Sequence, residues 1–356
     1  MKKISLFCCF LFLLVACQHS DNFFNGEYRY QPYSGEVLSV NGEETKFDKL
    51  TATGLWIEDT ILIVMSHMSS EKLLSAYSLN TQEFLCDLIL KGNGPDEYLW
   101  MHFVNSYTDE TGSKLWVMVT LPVLKLLCID LTASILEQKM VLYKEIQLDF
   151  EDSFQLSWCF PMNDTSLLLL HHRYNNFSLS VGNIETKETI FTSYLFSEDV
   201  EREEGTLIWD AFCYNSEKSL LAGGALFFDQ INFYPIAQKQ LPYSISTNHR
   251  KAITYNNFRG NVSRDAEYFY KQPLYYLAGG YYSNNYLMFR YANGQNERGY
   301  PLRTQEVLYI FNWTGDLEKI VHLNQALMSI AYDTKNQYLY GVTPDYDIVR
   351  FKLLLE

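Results

Sequence analysis

The stretch Lys91-Gly92-Asn93-Gly94-Pro95-Asp96-Glu97-Tyr98 follows an apolar run, residues 85–90, that has the pattern of a β-strand. Two glycines and a proline within four residues favour an abrupt change of chain direction, because glycine tolerates positive φ and proline fixes its own φ. We predict that this stretch is the joint between two units of a repeating β fold.

The repeat is a hairpin in which an apolar strand meets a small polar turn and then a second, more aliphatic strand. Six turns fit this pattern, and one residue marks each of them: Asp59, Thr111, Asp164, Ser216, Asn284 and Lys335. The intervals between the markers are 52, 53, 52, 68 and 51 residues. A period near 50 with short strands and polar turns is typical of β-propellers. The sequence therefore predicts an all-β fold, a six-bladed β-propeller of four-stranded antiparallel blades, with one insertion in the fifth repeat.

The last repeat has residues for only three strands before the chain ends. An open blade would leave unpaired edge groups, and residues 36–40, Glu36-Val37-Leu38-Ser39-Val40, form an otherwise unassigned strand pattern. We predict that this N-terminal strand completes the last blade.

The N-terminus has the pattern of an export leader. Lys2 and Lys3 precede an apolar run of 13 residues, which ends at Leu14-Val15-Ala16-Cys17. This run is shorter than the roughly 20 residues that a membrane-spanning helix needs. The pattern resembles a bacterial lipoprotein signal, which implies residues 1–16 as signal peptide, Cys17 as the lipidated N-terminus and residues 17–34 as a tether without a predicted element. The propeller domain is then expected at residues 35–356.

The charge and the cysteines restrict the classes of partner. Acidic residues outnumber basic ones by 42 to 28, and the basic residues form no cluster, so no nucleic-acid partner is expected. The cysteine spacing matches no metal motif and no disulfide framework, so we predict no metal site and no cofactor. We interpret the remaining cysteines as buried free thiols. Cys159 and Cys213 are the one pair for which a disulfide is worth checking. The cysteines left after the leader is removed are Cys86, Cys128, Cys159 and Cys213.

The long connections are expected on one face of the ring. In a propeller, the loops between blades and those between strands 2 and 3 share a face, and the long segments 92–100, 149–154, 197–205, 247–272 and 292–305 all belong to these classes. Because function concentrates in loops on a rigid scaffold, we predict the binding surface there, around the channel mouth. The candidate ligand-binding residues are Asn93, Asp96, Glu97, Tyr98, Tyr281 and Tyr282.

Three of these loops are acidic, at Asp96 and Glu97, at Asp149 to Asp152, and at residues 198–204. Oxygen ligands of this kind suit Ca²⁺ or a cationic ligand, but the spacing is not that of a calcium loop, and a solvated acidic rim is the competing interpretation. His67 and His102 are isolated in the sequence and are interpreted as structural. No catalytic motif is present, although separation in space rather than in sequence defines a glycosidase carboxylate pair.

The leader, the six repeats and the segment Gly92-x-Gly94-Pro95-x-Glu97-Tyr98 together resemble the TolB-like six-bladed propeller lipoproteins of Bacteroidetes. The resemblance covers residues 35–356 and implies no catalytic residues. The expected function is a lipid-anchored, outer-membrane module, on the periplasmic or surface side, that binds a glycan, peptide or envelope protein without catalysis. The alternatives are an enzyme that acts on polysaccharide with carboxylates at the channel mouth, and a structural subunit of an envelope complex.

Overall fold

A computed structural model describes residues 24, 26–47, 51–150, 156–173, 176–195, 210–226, 229–236, 240–247, 274–292 and 304–355. The prediction of an all-β six-bladed propeller is confirmed: strands in sequence order form six sheets, each with an antiparallel core. Within each blade, the strands lie side by side in order from the centre of the ring to its outer edge.

Three short strands precede the first blade. They are β1 (Glu27–Tyr30), β2 (Val37–Val40) and β3 (Gly42–Glu44). Blades 1 to 3 follow in order along the chain.

The strands of blade 1 are β4 (Gly54–Glu58), β5 (Ile61–Met65), β6 (Lys72–Ser78), β7 (Phe84–Lys91) and β8 (Glu97–Tyr98). Those of blade 2 are β9 (Trp100–Asp109), β10 (Gly112–Leu121), β11 (Lys125–Asp130) and β12 (Leu142–Gln147), with the helix α1 (Leu131–Glu137) between the last two. Those of blade 3 are β13 (Leu156–Pro161), β14 (Ser166–Arg173), β15 (Asn176–Asn183) and β16 (Thr189–Tyr194).

The remaining blades follow the same plan. The strands of blade 4 are β17 (Asp210–Asn215), β18 (Leu220–Ala225), β19 (Ile231–Pro235) and β20 (Tyr243–Ser246). Those of blade 5 are β21 (Tyr276–Tyr282), β22 (Tyr286–Tyr291), β23 (Glu306–Asn312) and β24 (Leu317–Leu323). Those of blade 6 are β25 (Ser329–Asp333), β26 (Tyr338–Val342) and β27 (Ile348–Lys352).

An N-terminal strand closes blade 6, as the sequence predicts, but residues 36–40 are not the strand that does so. The closing strand is β3, which pairs antiparallel with β27, and β2 instead adds a parallel fifth strand to blade 5. Val37 and Leu38 have the higher strand propensity, but β3 is nearer in the chain to blade 1. The β3 strand carries charged side chains, which are compatible with an edge that faces solvent. Among them, Glu43 accepts a hydrogen bond from Arg350 Nε at 3.1 Å.

The segment predicted as a tether without regular structure contains a strand. β1 pairs in parallel with β20, at the outer edge of blade 4. The N-terminal residues therefore follow the perimeter of the ring, first along blade 4, then along blade 5 and finally into blade 6.

The middle strands of the blades are nearly continuous apolar runs because both of their faces pack against neighbouring blades. The β5 run Leu62, Ile63 and Val64 is at most 1% exposed, and Leu168 and Leu169 of β14 are fully buried. Burial on this scale, at about 25 cal/mol per Å² of apolar surface, stabilises the ring without disulfides. In the part of the chain that is described, no helix is long and apolar enough to cross a membrane.

Candidate functional site

A cavity of about 1880 Å³ occupies the centre of the ring. Its walls include residues from the innermost strand of every blade, among them Trp56 of β4, His102 of β9, Trp158 of β13 and Tyr281 of β21. It reaches the ends of these strands at which the chain enters each blade, where Trp100 and Leu274 line it. The face predicted from loop lengths is therefore the one on which this cavity has its mouth.

An aromatic arc runs from blade 1 to blade 3; its members are His67, Trp100, His102, Trp158 and Phe160. All of them except His67 line the cavity. The His67 imidazole stacks on the Trp100 indole, with centroids 4.0 Å apart and planes 9° apart. His102 and Trp158 come within 5.1 Å, and Trp158 lies parallel to Phe160 at 6.3 Å. Trp100 remains 41% exposed, so the arc presents an indole to solvent at the mouth.

Hydrogen bonds fix both imidazoles of the arc in one tautomer. His67 Nε2 lies 2.9 Å from Met101 O, and since a carbonyl only accepts, Nε2 carries the proton. Trp100 Nε1 donates to His102 Nε2 at 3.1 Å, so the proton of neutral His102 is on Nδ1.

Both histidines are uncharged at neutral pH. Burial lowers the pKa of His67, although the hydrogen bond to Met101 opposes this. Burial, together with the charge of His67, lowers the pKa of His102 to about 4. The arc is therefore an aromatic surface without charge at neutral pH, and it is suited to stacking rather than to ion pairing.

The stretch 91–98 holds the first two rings of the arc in place. Lys91 Nζ donates to His67 O at 2.7 Å and to Ser69 O at 2.9 Å, which fixes the turn that carries the imidazole. At the other end of the stretch, Tyr98 is 5% exposed and packs in the core, two residues before Trp100. One loop thus positions both partners of the stack.

Glu97 closes this loop on itself. Its Oε2 accepts from Gly94 N at 2.8 Å, and a Cβ on Gly92 would lie only 2.0 Å from the same oxygen. A side chain at position 92 would therefore displace the Glu97 carboxylate from its bond to Gly94 N. Asp96 adopts a φ of 59° in the turn. Asn93 and Asp96 are exposed.

The six predicted ligand-binding residues are separated by the structure. Asn93, Asp96, Glu97 and Tyr98 do not contribute to the cavity wall, whereas Tyr281 and Tyr282 do. Ligand binding by all six residues stays a prediction. In the structure, Glu97 and Tyr98 stabilise the loop itself.

Tyr281 and Tyr282 pack into the wall rather than standing free of it. Tyr281 is 8% exposed and lies 5.5 Å from Trp56. The Tyr282 hydroxyl donates to Val104 O, and its ring meets Trp56 at 5.1 Å. Burial raises the pKa of both phenols, so they are uncharged.

Arg290 also lines the cavity, but its donors are occupied. Nε and one Nη2 proton bond Glu306 Oε2, at 3.2 and 3.1 Å, and the second Nη2 proton goes to Leu327 O. Nη1 donates to Ala278 O at 2.7 Å and to Met328 O at 2.5 Å. All five guanidinium protons are thereby used. The ion pair lies within blade 5, and the bonds to Leu327 O and Met328 O join it to the start of blade 6.

The acidic loops of the sequence analysis are only partly within the described residues. Asp149 pairs with Lys187 at 2.7 Å, and this hydrogen bond lowers the pKa of its carboxyl. Residues 151–155 and 196–209 lie outside the described part. Within it, no group of three His, Cys, Asp or Glu side chains could hold a metal ion, and the cavity-lining carboxylates, Glu44, Asp345 and Asp347, are exposed.

The cysteines agree with the interpretation as buried thiols. Cys86, Cys128, Cys159 and Cys213 are free and buried, and the Cys159–Cys213 pairing is not formed. Cys159 Sγ lies 3.7 Å from Met118 Sδ, and Cys213 Sγ lies 3.6 Å from Ala222 O. Burial raises the pKa of all four, which makes them poor nucleophiles.

The histidines of the arc were missed as a group because they are far from each other in sequence. His67 follows the second strand of blade 1, and His102 lies near the start of the first strand of blade 2. In a propeller these two positions meet at the same end of the channel. Placing the histidines on the six-fold repeat is the step that would have found the cluster.

No family model and no curated protein sequence matches this chain. Among solved structures, the chain is similar to a member of the DUF4221 family from Bacteroides vulgatus, with a TM-score of 0.55, 12% identity, and coverage of 91% of this chain and 97% of that one. It is also similar to a protein from Bacteroides fragilis inferred to be exported, with a TM-score of 0.54, 11% identity, and coverage of 91% and 98%. At these identities the likeness establishes the propeller fold; neither neighbour is named as TolB-like.

Proposed function

We propose that this protein is a cell-envelope binding module that takes a glycan into the mouth of its central cavity. The observation that carries the proposal is the exposed indole of Trp100, held in a fixed orientation at the mouth by His67 and His102. Rigid aromatic rings lose little conformational entropy on binding and stack on the apolar faces of sugar rings.

The size and charge of the cavity support a neutral ligand larger than a drug-sized molecule. Pockets for such molecules enclose about 300 to 1000 Å³, and this cavity is larger, at about 1880 Å³. The cation on its wall, Arg290, is committed to Glu306, and the exposed charges on the wall are acidic. An anionic ligand would therefore meet no free partner among the described residues of the wall.

The envelope location is proposed from the leader and from one of the structural neighbours. The sequence Leu14-Val15-Ala16-Cys17 has the form of a lipoprotein processing site, and the Bacteroides fragilis neighbour is inferred to be exported. Export followed by acylation of Cys17 would anchor the propeller to a membrane through several chains, each buried CH₂ contributing about 0.8 kcal/mol. Mass spectrometry of the N-terminal peptide tests this part directly.

The binding proposal is tested by a glycan array and by titration calorimetry with the best ligand on the array. Trp100→Ala is expected to weaken binding at least tenfold, and Phe84→Ala, at a 49% exposed aromatic on the rim of blade 1, is the matched control. Unchanged affinity in a folded Trp100→Ala variant, or an array without binding to the folded wild type, would refute the glycan site.

A further inference from the structure

The outer edge of blade 3 differs from the other edges of the ring. Blades 4 and 5 gain β1 and β2 as added outer strands, and blade 6 ends in the charged β3. In the described residues, blades 2 and 3 end in β12 and β16. β12 carries Lys144 and Glu145, whereas β16, Thr-Ile-Phe-Thr-Ser-Tyr, has no charge.

Three side chains of β16 are aliphatic or aromatic and exposed. Ile190 is 72% exposed, Phe191 is 55% exposed and Tyr194 is 39% exposed, and the Phe191 and Tyr194 rings meet at 4.8 Å. An uncharged, exposed edge strand invites pairing or aggregation, and natural sheets protect such edges with charges or a cover. This edge has no charge, so a cover is expected.

A further exposed apolar side chain lies on blade 4, the blade that the N-terminal segment joins. Tyr234 of β19 donates to Leu195 O, directly after β16, at 3.3 Å, so the two blades meet here. Leu241, on the connection from β19 to β20, is 78% exposed. Its neighbour Pro242 accepts from Glu27 N at 2.9 Å, which places β1 beside Leu241.

The distance to the anchor limits which part of the rim can face the membrane. Phe24 is 1% exposed, and only residues 18–23 separate it from Cys17. A chain of that length spans at most about 25 Å. A domain of this size has a radius of gyration of about 20 Å, so blade 1, across the ring from blade 4, could not stand rim-down on the membrane while the anchor holds.

We propose that the membrane contact patch, formed by Ile190, Phe191, Tyr194 and Leu241, rests on the lipid surface to which Cys17 tethers the chain. Aromatic and aliphatic side chains insert into the headgroup boundary, and a short tether raises their effective concentration at the surface. The proposal rests on the proposed acylation of Cys17. It explains why this edge lacks the charges of β12, and it places the ring rim-down with the cavity mouth open to the side.

The test is hydrogen exchange with the acylated chain in phosphatidylcholine vesicles, compared with a chain that begins at residue 18 in buffer. The expected result is at least tenfold slower exchange over residues 189–194 on vesicles, with no change over residues 84–90. Those residues include the exposed Phe84 at the start of β7, the fourth strand of blade 1, and serve as the internal control. The double variant Ile190→Ser, Phe191→Ser is expected to lose the slowing while it stays bound to vesicles, and Phe84→Ser is expected to keep it.

Equal exchange rates in vesicles and in buffer over residues 189–194 would overturn the proposed membrane contact. Equal slowing over residues 189–194 and 84–90 would also overturn it, because it would indicate that a face of the ring, and not this part of the rim, lies on the membrane. If exchange over residues 189–194 becomes slower in buffer as the protein concentration rises, a second copy of the chain covers the patch, and the membrane contact is overturned. The mass of the N-terminal peptide from the same sample separates the two levels: an unacylated Cys17 refutes the anchor and the patch together, and leaves the Trp100 binding experiment unaffected.

Discussion

The His67 imidazole lies flat against the Trp100 indole at 4.0 Å, and the two residues come from different blades. The chain between them contains the stretch 91–98, whose Lys91 also holds the turn of His67. The loop that redirects the chain from blade 1 to blade 2 thus also assembles the start of the aromatic arc. Architecture and candidate site depend on the same eight residues.

Replacing His67 is expected to cost stability and ligand affinity together. An aromatic pair contributes about 0.5 to 1.5 kcal/mol beyond the area it buries, so His67→Ala should lower the free energy of unfolding by about 1 kcal/mol or more. Urea denaturation monitored by circular dichroism measures this. His322→Ala, at an exposed histidine on β24, should change it by less than about 0.5 kcal/mol. Equal effects of the two substitutions would contradict the importance of the stack.

Removing the charge of Lys91 is expected to loosen the His67 turn. Hydrogen bonds to a charged group contribute about 1.5 to 3 kcal/mol, and Lys91→Met loses two while it keeps the apolar stem. We expect a loss of about 2 kcal/mol and faster hydrogen exchange in residues 66–71. Lys139→Met, at a 68% exposed side chain, is the control. Unaltered exchange in this turn would mean that Lys91 does not hold it.

The close approach of Gly92 to Glu97 predicts a coupling between the two positions. Gly92→Ala alone forces the carboxylate away from Gly94 N and should cost about 2 kcal/mol, the contribution of a hydrogen bond to a charged group. In a Glu97→Ala background the same change meets fewer atoms and should cost less. The double-mutant cycle is expected to give an interaction energy of about 1 kcal/mol or more. Additive effects would show that the carboxylate does not occupy the position next to Gly92.

Truncation from the N-terminus should distinguish the closing strand from the peripheral ones. A chain that begins at residue 41 lacks β1 and β2 but keeps β3, so it should unfold cooperatively with a reduced Tm. A chain that begins at residue 46 lacks β3 as well, together with the bond from Gly42 N to Asn324 Oδ1 at 2.8 Å. The pairs lost with β3 contribute about 1 kcal/mol each, and blade 6 should then exchange its amide hydrogens rapidly. Equal Tm values for the two truncations would contradict closure by β3.

The lowered pKa of His102 predicts a specific loss of stability in acid. The unfolded imidazole titrates near 6.5 and the folded one at about 4, so the unfolded state binds the proton first as the pH falls. The folded state should therefore lose stability between pH 6.5 and pH 4 through this group. Carboxylates contribute over the same range, so the readout is the difference between wild type and His102→Phe in urea titrations at pH 7 and pH 4.5. The variant should lose less stability; a parallel loss would contradict the lowered pKa.

The corrections to the sequence-based expectations have a common cause. Residues 36–40 have the stronger strand pattern, yet β3 closes the ring, because closure depends on where the chain must enter blade 1 and not on propensity. The predicted tether contains β1, because blade 4 offers an unpaired edge to it. Neither edge can be identified until the ring is assembled.

What the sequence determined by itself is the repeat: the polar turns at Asp59, Thr111, Asp164, Ser216, Asn284 and Lys335 recur at nearly constant intervals, and each lies between the first and second strands of a blade. Turn chemistry and strand alternation are local properties, so they can be read along the chain. What only the tertiary structure decided is the set of neighbours. These neighbours include the approach of His67, Trp100, His102 and Trp158 and the full use of the Arg290 donors. Both depend on contacts between strands or blades. Such contacts join residues far apart in sequence, and the local pattern of the chain does not encode them one by one.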